Sequence, residues 1–473
     1  MADRNAQMSE LIDTWRTEIV EDLRRFIRIP SVQRPPQPRQ PFGEPIDRAL
    51  QFALDLATSH GFATTSLDGY FGYAEFGEGK ELVGALGHVD VVPEGSRADW
   101  SVDPFAGIVS DGRIVGRGAT DDKGPVLSVL YGLRAVAALE DLPKRRFRLM
   151  LGTNEESGWG GISYYLDHDE TPTCGFAADG MFTVANREKG ILSARLSLPA
   201  PYAAGDEPFR LLHISGGKNP NSVADVAIAD LILAQPAQRA LASVQSTVLA
   251  AYPWARIDLS ESEGHTRITS TGLTTHAMTP STGQNAIHPL LELLIQLDPQ
   301  AGESSSLAQL LRRIAPETDG RGLNMKWSDT ASGDLTVNLG TLQMAGAAIE
   351  ATLDIRSPIT KSCSDIERGL RHAFEPTEIS VQVLRTMEPL YVPDEHPLVQ
   401  TLCRAYEAIT ARPSVLHAIG GGSYARAFQP CVSFGAVHPE AEITIHRPDE
   451  YITIEDLVLN AKIYAAAIYD LIH

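Results

Sequence analysis

The stretch LVGALGHVD, residues 82–90, places a histidine and an aspartate directly after an apolar run. A short apolar run bounded by polar residues predicts a buried strand of a parallel sheet. Side chains two residues apart in an extended chain point to the same side, so His88 and Asp90 would face one crevice. Sites in open α/β sheets form at the carboxyl ends of strands. This stretch therefore predicts an α/β fold with a polar site at the strand end.

A long helix is predicted between this strand and the next. Residues 125–139 carry apolar side chains at helical spacing, with Pro125 in the first turn. Another apolar run follows at 146–151, and strand, helix and strand in this order predict a βαβ unit in a largely parallel sheet. Periodicity also predicts helices over 11–27, 46–59, 397–409 and 454–472, and buried strands over 175–177 and 432–436.

Two aspartates lie at a predicted strand-to-helix junction, in the segment GATDDKG, residues 118–124. A carboxylate at Asp121 could bridge two cations through its two oxygens, as in two-metal sites. Asp122 could instead cap the following helix, a role that aspartate fills well.

Further acidic residues follow two other predicted strands. Glu155 and Glu156 come after the strand 146–151, and the side chains of adjacent residues diverge. One of the two could therefore bind a cation while the other acts as general base on a bound water. Asp179, in the segment ADG, completes the set of candidate ligands, although it could also serve a turn.

The residue types indicate a catalytic metal site. In a His-x-Asp segment either residue could bind the cation; we assign His88 as the ligand and Asp90 as the carboxylate that orients it. Histidine and carboxylate ligands without cysteine suit zinc, cobalt or manganese, with zinc the default. Two cations would lower the pKa of a bridging water, and the resulting hydroxide could attack a carbonyl. The pattern predicts amide or ester hydrolysis.

Composition excludes several classes of function. The 473 residues include 60 acidic and 40 basic ones, and a formal charge of -20 disfavours binding to nucleic acid or anionic membranes. The first ten residues lack the features of a secretory signal, and no apolar stretch approaches the roughly 20 residues of a membrane span. Four scattered cysteines predict reduced thiols. We expect a cytoplasmic protein.

The chain is long enough for two or three domains. Beyond residue 187 the pattern changes to alternating strands, such as 191–198, 266–270, 335–340 and 348–355, with helical stretches between them. After residue 386 the helix and buried-strand pattern returns. We predict a catalytic domain formed by residues 1–187 and 387–473, with an α+β domain inserted at 188–386.

Several motifs together resemble a known family. GHVDVVPEG, DPF, GRGATDDKG, NEESG and GGGSYAR resemble the co-catalytic zinc peptidase family that includes aminoacylase, carboxypeptidase G, tripeptidase T and succinyl-diaminopimelate desuccinylase, and within it the PepV-type dipeptidase branch. The resemblance covers nearly the whole chain. It implies a mostly parallel-sheet, phosphorylase/hydrolase-like catalytic domain with an inserted α+β lid domain. It also implies a cis peptide bond between Asp121 and Asp122.

The resemblance implies a role for each candidate residue of the catalytic domain. Glu155 matches the general base, which takes a proton from the bridging water and returns it to the leaving amine. Asp90 matches the carboxylate behind His88. His446 could otherwise cap a surface hairpin, and only the resemblance makes it a ligand. The implied ligands are His88 and Asp179 for one cation, Glu156 and His446 for the other, and Asp121 as the bridge.

The resemblance extends into the inserted domain. His276 matches the histidine that stabilises the tetrahedral oxyanion. Arg356 matches the arginine that binds the substrate carboxylate, a task suited to a forked guanidinium, although a surface ion pair is also compatible with its sequence context. Asn221 matches a substrate-contacting asparagine, and Gly421 and Gly422 match a loop whose backbone closes on the substrate.

These implications predict a metal-dependent dipeptidase that hydrolyses short peptides with a free C-terminal carboxylate, using a metal-bridging hydroxide and Glu155 as general base. An N-acyl-amino-acid deacylase or amidohydrolase is an alternative, because Arg356 fits the carboxylate of either substrate. An inactive peptide-binding protein on a peptidase scaffold is another. The long inserted segment resembles lids that serve within one chain, which predicts a monomer.

Overall fold

The computed structural model describes residues 2–139, 141–199, 208–262, 264–298 and 305–473. The chain divides into two compact units. The first unit contains Met1–Asn186, Val392–His417 and Ser423–His473, and the second contains Arg187–Tyr391 and Ala418–Gly422.

The unit boundaries differ from the predicted ones. The chain returns to the first unit at Val392 rather than at residue 387, and Ala418–Gly422 belongs to the second unit, although the sequence predicts it in the catalytic domain. The physical reason is local: the carbonyl of Gly420 accepts a hydrogen bond from Arg356 in the second unit, and Gly420 packs on Met278. Three consecutive glycines have no hydrophobic periodicity that would have revealed this.

The described ranges contain the following α-helices. In chain order the helices are α1 (Ala2–Thr14), α2 (Arg16–Ile27), α3 (Glu44–Ser59), α4 (Lys123–Ala137), α5 (Gly160–His168), α6 (Gln235–Ala251), α7 (Ile287–Leu297), α8 (Ser306–Ile314), α9 (Cys363–Phe374), α10 (Pro397–Thr410) and α11 (Ile454–Ile472). None of these helices is both long and apolar enough to cross a membrane.

The strands divide between the two units. They are β1 (Ala63–Leu67), β2 (Phe71–Phe76), β3 (Leu82–His88), β4 (Ile108–Ser110), β5 (Arg113–Val115), β6 (Arg146–Gly152), β7 (Cys174–Ala177), β8 (Val184–Glu188), β9 (Gly190–Pro199), β10 (Phe209–Gly216), β11 (Val226–Leu233), β12 (Arg256–Ser262), β13 (His265–Thr271), β14 (Ser328–Asp329), β15 (Gly333–Asp334), β16 (Thr336–Ala345), β17 (Ala348–Ser357), β18 (Ser380–Met387), β19 (Leu390–Tyr391), β20 (Leu416–Ile419), β21 (Cys431–Phe434) and β22 (Tyr451–Thr453).

The sheet of the first unit has a parallel centre. Its strand order is β1-β2-β6-β3-β7-β21-β8. The four central strands, β6, β3, β7 and β21, pair in parallel, whereas β1, β2 and β8 add to the flanks antiparallel. Every residue of β3 is buried, as expected for a central strand covered on both faces. The predicted βαβ unit is confirmed, because β3 and β6 are parallel neighbours joined through α4.

The opening helix is not continuous, contrary to our prediction for residues 11–27. It forms two helices, α1 and α2, with Trp15 between them at φ -92° and ψ 3°. The Trp15 ring lies against Arg134, 4.1 Å from the guanidinium carbon, and against Tyr131. The spacing of apolar residues predicts one helix here, because it gives no information about the tertiary contacts that Trp15 makes.

The second unit is built on an antiparallel sheet, in the order β12-β13-β11-β10-β16-β17-β9-β18. Its buried core combines alternate residues of these strands with the apolar faces of helices α7, α8 and α9, for example Leu353, Leu290, Leu311 and Ile366. Strands beside helices packed on one sheet make this an α+β unit, so the predicted fold class is confirmed.

Helices α4 and α11 approach closely at a glycine. A Cβ added at Gly132 of α4 would lie 2.9 Å from the nitrogen of Ala465 and 3.0 Å from the oxygen of Ala461, both backbone atoms of α11. Backbone atoms cannot move aside as a side chain can, so Gly132 permits this helix contact.

We therefore expect Gly132→Ala to lower the free energy of unfolding by about 1–3 kcal/mol, the usual cost of overpacking, despite the better helix propensity of alanine. Gly369→Ala in α9 is the matched control, since its new methyl group would meet the flexible side chain of Met325. Urea unfolding of both variants measures the difference. An unchanged midpoint for Gly132→Ala would contradict the close packing.

Candidate metal and catalytic site

The buried imidazole of His88 ends strand β3 among carboxylates. Its Nε2 lies 3.0 Å from Oδ1 of Asp121 and 4.0 Å from Oδ2 of Asp179. Its Nδ1 lies 2.9 Å from the main-chain oxygen of Asp90 and 3.5 Å from Oδ1 of the same residue. Because a carbonyl oxygen only accepts, Nδ1 carries a proton, which leaves Nε2 as the ligand atom.

The carboxylate of Asp90 holds the turn after strand β6. Its Oδ1 accepts the main-chain N–H of Glu155 at 3.1 Å, and its Oδ2 accepts that of Glu156, also at 3.1 Å. Asp90 therefore orients His88 largely through its main-chain oxygen, while its side chain fixes the position of the two glutamates relative to β3.

A second group of donor atoms lies on the other side of Asp121. The Nε2 of His446 is 3.0 Å from Oδ2 of Asp121 and 3.1 Å from Oε1 of Glu156. Asp121 thus belongs to two candidate ion-binding groups, one with His88 and Asp179 and one with Glu156 and His446. Each carboxylate oxygen faces one group, which is the geometry that a bridging ligand requires.

The donor atoms fit a pair of divalent cations. Ligand atoms around a tetrahedral cation with bonds of about 2.0–2.1 Å lie roughly 3.3 Å apart. Four of the separations within these groups are 3.0 Å, 4.0 Å, 3.0 Å and 3.1 Å. Burial, followed by the negative charge of Asp121, raises the pKa of Asp179 to about 7. Positive charge between these carboxylates would relieve both effects.

A third acidic group, Glu18, Asp22 and His60, also brings three possible ligand atoms together. Its carboxylates are already neutralised, because Arg25 lies 3.0 Å from Asp22 and Arg134 lies 3.0 Å from Glu18. We therefore interpret this group as a structural cluster of ion pairs.

Glu155 lies beside the two candidate ion-binding groups and is half-buried. Its Oε1 accepts a hydrogen bond of 3.2 Å from the indole nitrogen of Trp159. Burial raises its pKa well above the usual range, and the charges of Asp179 and Glu156 act in the same direction. A carboxyl group with a raised pKa can accept a proton and later return it, as a general base and acid must.

Asp122 does not cap helix α4 through its side chain. It occupies the N-cap position without a side-chain capping hydrogen bond, and its Oδ2 accepts the main-chain N–H of His88 at 2.9 Å instead. The capping alternative is therefore wrong, and Asp122 links α4 to the end of β3. The peptide bond between Asp121 and Asp122 is cis, as the resemblance implied.

Sequence reasoning missed the residue that holds the Asp121 loop. The fully buried carboxylate of Glu450 pairs through Oε2 with Arg117 at 2.7 Å. Its Oε1 accepts three main-chain N–H groups, those of Gly118 at 3.1 Å, Thr120 at 2.9 Å and Asp121 at 3.1 Å.

The pairing of β22 with β5 brings Glu450 to this loop. Tyr451 faces Val115 in the register of these two strands, so the preceding Glu450 comes close to Arg117. Glu450 lies in the segment that contains His446, but no spacing in the sequence connects it with a residue more than 300 positions earlier.

Lys123 is a further residue that the sequence did not single out. Its ammonium group is buried and donates to the main-chain oxygens of Phe26 at 3.1 Å and Ile29 at 2.6 Å. Burial lowers its pKa to about 7. Lys123 ties the first turn of α4 to the end of α2 and so supports the neighbouring aspartates.

His276 and Asn221 lie together in the second unit. The main-chain N–H of Ala277 donates to the oxygen of Asn221 at 2.8 Å, and the side chains of Asn221 and His276 are exposed. Nδ1 of His276 accepts the main-chain N–H of Met278 at 3.1 Å. A neutral ring therefore carries its proton on Nε2, which makes that atom a hydrogen-bond donor.

Arg356 is a buried residue of the second unit and does not form a surface ion pair. Its Nε and Nη2 donate to the two carboxylate oxygens of Asp354, and its Nη1 donates to the oxygen of Gly420 at 2.9 Å. This arrangement fixes the guanidinium and brings it beside the loop that contains Gly421 and Gly422.

Comparison with known proteins identifies the family. The model of peptidase family M20/M25/M40 matches residues 84–470. The YtjP protein of Bacillus subtilis (strain 168) is 35% identical over 460 residues, which span 96% of this chain and 97% of that protein. Beta-Ala-Xaa dipeptidase of Lactobacillus delbrueckii subsp. lactis is 31% identical over 469 residues, which span 98% of this chain and 97% of that enzyme.

Solved structures agree on the fold. Human carnosine dipeptidase 1 superposes with a TM-score of 0.60 at 16% identity, covering 99% of this chain and 98% of that one. The dipeptidase Dug1p of Saccharomyces cerevisiae gives a TM-score of 0.57 at 13% identity, over 99% and 98% of the two chains. The chain belongs to peptidase family M20/M25/M40. It is an enzyme, a hydrolase of the co-catalytic metallopeptidase class, and the resemblance seen in its sequence is confirmed.

The buried Arg117–Glu450 pair gives a prediction about stability. We expect Glu450→Gln to lower the free energy of unfolding by about 3–5 kcal/mol, because it leaves the Arg117 charge buried without a counter-charge. Glu455→Gln is the matched control, since Glu455 also pairs with an arginine, Arg16, but its side chain is 79% exposed. Exposed pairs contribute about 1 kcal/mol or less. Equal unfolding midpoints of the two variants in urea would contradict the importance of the buried pair.

Proposed function

We propose that this enzyme is a dipeptidase that hydrolyses the peptide bond of short peptides with a free C-terminal carboxylate. The observation that carries the proposal is the shared carboxylate: Asp121 joins two candidate ion-binding groups, and Glu155 lies beside them. The name of a relative supports the substrate class, since a 31% identical protein of nearly the same length is a Beta-Ala-Xaa dipeptidase.

His88 and Asp179 would hold one divalent cation, and Glu156 and His446 the other, with Asp121 between them. Zinc is the cation we propose, because imidazole and carboxylate donors at these separations suit it; manganese and cobalt accept the same donors. Bound cations would supply Lewis acidity that polarises the substrate carbonyl and acidifies water.

Glu155 would carry the proton during hydrolysis. It would take a proton from the attacking water and deliver it to the nitrogen of the leaving amine, so that one carboxyl group serves both halves of the reaction. Asp90 supports this role, because its two hydrogen bonds to the main chain of Glu155 and Glu156 hold the base and a ligand in a fixed relation.

Residues of the second unit would bind the substrate. Arg356, held rigidly by Asp354, would face the substrate carboxylate, and Nε2–H of His276 would donate to the developing oxyanion. Asn221, Gly421 and Gly422 would line the same part of the substrate. We further propose that the enzyme is a monomer, since the inserted segment supplies Asn221, His276 and Arg356 within one chain.

Substrate class is tested by comparing a free dipeptide, such as β-alanyl-histidine or alanyl-alanine, with an N-acetyl amino acid. We expect cleavage of the free dipeptide that a chelator abolishes and added zinc restores. Preferred cleavage of the acetylated compound would move the assignment to an N-acyl-amino-acid deacylase. Cleavage of neither compound by metal-loaded protein would refute both and favour a peptide-binding protein.

The role of Glu155 is tested by Glu155→Gln, which keeps the shape of the side chain and removes the basic carboxylate. We expect kcat for the dipeptide to fall by about 100-fold or more, in the range of general-base catalysis, with the cation content unchanged. Glu170→Gln, a substitution of an exposed carboxylate on the same unit, is the control. Wild-type kcat in Glu155→Gln would rule out this base.

The ligand assignment is tested by metal analysis of the purified variants. We expect His88→Ala and His446→Ala each to lose one of two bound cations, because they belong to different groups, and Asp121→Ala to lose affinity for both. Elemental analysis and calorimetric titration with zinc measure the content and affinity. Full cation content in Asp121→Ala would exclude its bridging role.

A further inference from the structure

We infer that Trp159 is a positioning residue for Glu155, whose carboxylate it orients through the indole N–H. The inference rests on the proposed function, in which Glu155 moves the proton. It adds a residue that the site motifs do not assign: Trp159 lies outside the candidate ion-binding groups and follows the NEESG segment by one position.

The hydrogen bond between Trp159 and Glu155 has a defined direction. The indole nitrogen is only a donor, and it lies 3.2 Å from Oε1 of Glu155. Oε1 is thereby engaged, which leaves Oε2 as the oxygen that would accept the transferred proton. A carboxylate with one oxygen engaged also loses freedom to rotate about its terminal bond, and general-base catalysis depends on such alignment.

The backbone is arranged to bring the indole to this position. Trp159 has a left-handed conformation, with φ 65° and ψ 16°, which bulky residues rarely adopt. Asn154 closes the turn: its main-chain oxygen accepts the N–H of Trp159 at 2.8 Å, and its Oδ1 accepts that of Gly160 at 3.0 Å. An unusual conformation that neighbouring hydrogen bonds enforce is the kind of observation that suggests a functional constraint.

The indole ring has a second contact. Its ring packs edge-to-face on Tyr424, with centroids 5.4 Å apart. Tyr424 is buried, lies 6.4 Å from the His88 ring by the same measure, and packs against Gly152 at the end of β6. Trp159 therefore contacts both Glu155 and a buried tyrosine, and these two contacts restrict the orientation of its indole.

The variant that isolates the hydrogen bond is Trp159→Phe, which keeps an aromatic ring against Tyr424 and removes the N–H. We expect kcat for the dipeptide to fall about ten-fold, the change for losing one hydrogen bond to a charged group, with KM changed less than two-fold. Trp15→Phe is the matched control, since Trp15 is another partly buried tryptophan of the first unit whose ring contacts Arg134 and Tyr131 instead.

Two outcomes of this comparison overturn the inference. One is a kcat of Trp159→Phe equal to that of the wild type. The other is a fall in kcat that follows a matching loss of bound zinc or of the unfolding midpoint, which would make Trp159 a merely structural residue. Either result leaves the proposed function intact as long as the wild-type enzyme cleaves the dipeptide.

A second measurement does not depend on activity. In the full chain labelled with ¹⁵N at its five tryptophans, the indole resonance of Trp159 is the one that disappears in Trp159→Phe. We expect Glu155→Ala to move that resonance upfield, because the N–H loses its carboxylate acceptor, and to leave the Trp15 resonance in place. An unmoved Trp159 resonance would overturn the inference even if the dipeptide proved to be the wrong substrate.

Discussion

The crowding of carboxylates at the end of a parallel sheet is the constraint on which this structure depends. Asp121, Glu155, Glu156 and Asp179 lie near enough to interact electrostatically, and their burial and mutual repulsion raise the pKa values of all but Asp121. Such an arrangement is costly unless positive charge lies between the carboxylates. The two histidines and the bound cations we propose would supply that charge. The surrounding hydrogen bonds keep the acids in place, since an unrestrained chain would move them apart.

Hydrogen bonds from main-chain N–H groups to carboxylates hold the segments of the site together. Asp90 holds the turn of Glu155 and Glu156, Asp122 holds the end of β3, and Glu450 holds the loop of Asp121. Each of these carboxylates accepts N–H groups of a segment that is distant in sequence, so each joins two parts of the site. Glu450 and His446 come from the last part of the chain, after the second unit. The site of the first unit therefore needs residues from both sides of the second unit in the sequence.

In the second unit, too, a buried charged side chain joins segments that are distant in the sequence. Arg356 is fixed by Asp354 on the same strand and in turn holds the carbonyl of Gly420, so that a short loop from the far end of the chain joins this unit. The rigid guanidinium and the donor nitrogen of His276 are suited to binding an anionic or polarised oxygen.

The sequence by itself determined the features that have a local pattern. Apolar runs and helical spacing predicted β3, α4, β6 and α11, and the motifs around His88, Asp121 and Glu155 identified the residues that the structure brings together. Only the tertiary structure decided the rest: the break at Trp15, the side chain of Asp122 turned to His88, the buried Arg117–Glu450 pair and the hydrogen bond from Trp159. The physical reason is that periodicity reports which face of an element is buried, whereas a hydrogen bond between segments far apart in the chain depends on how the elements pack.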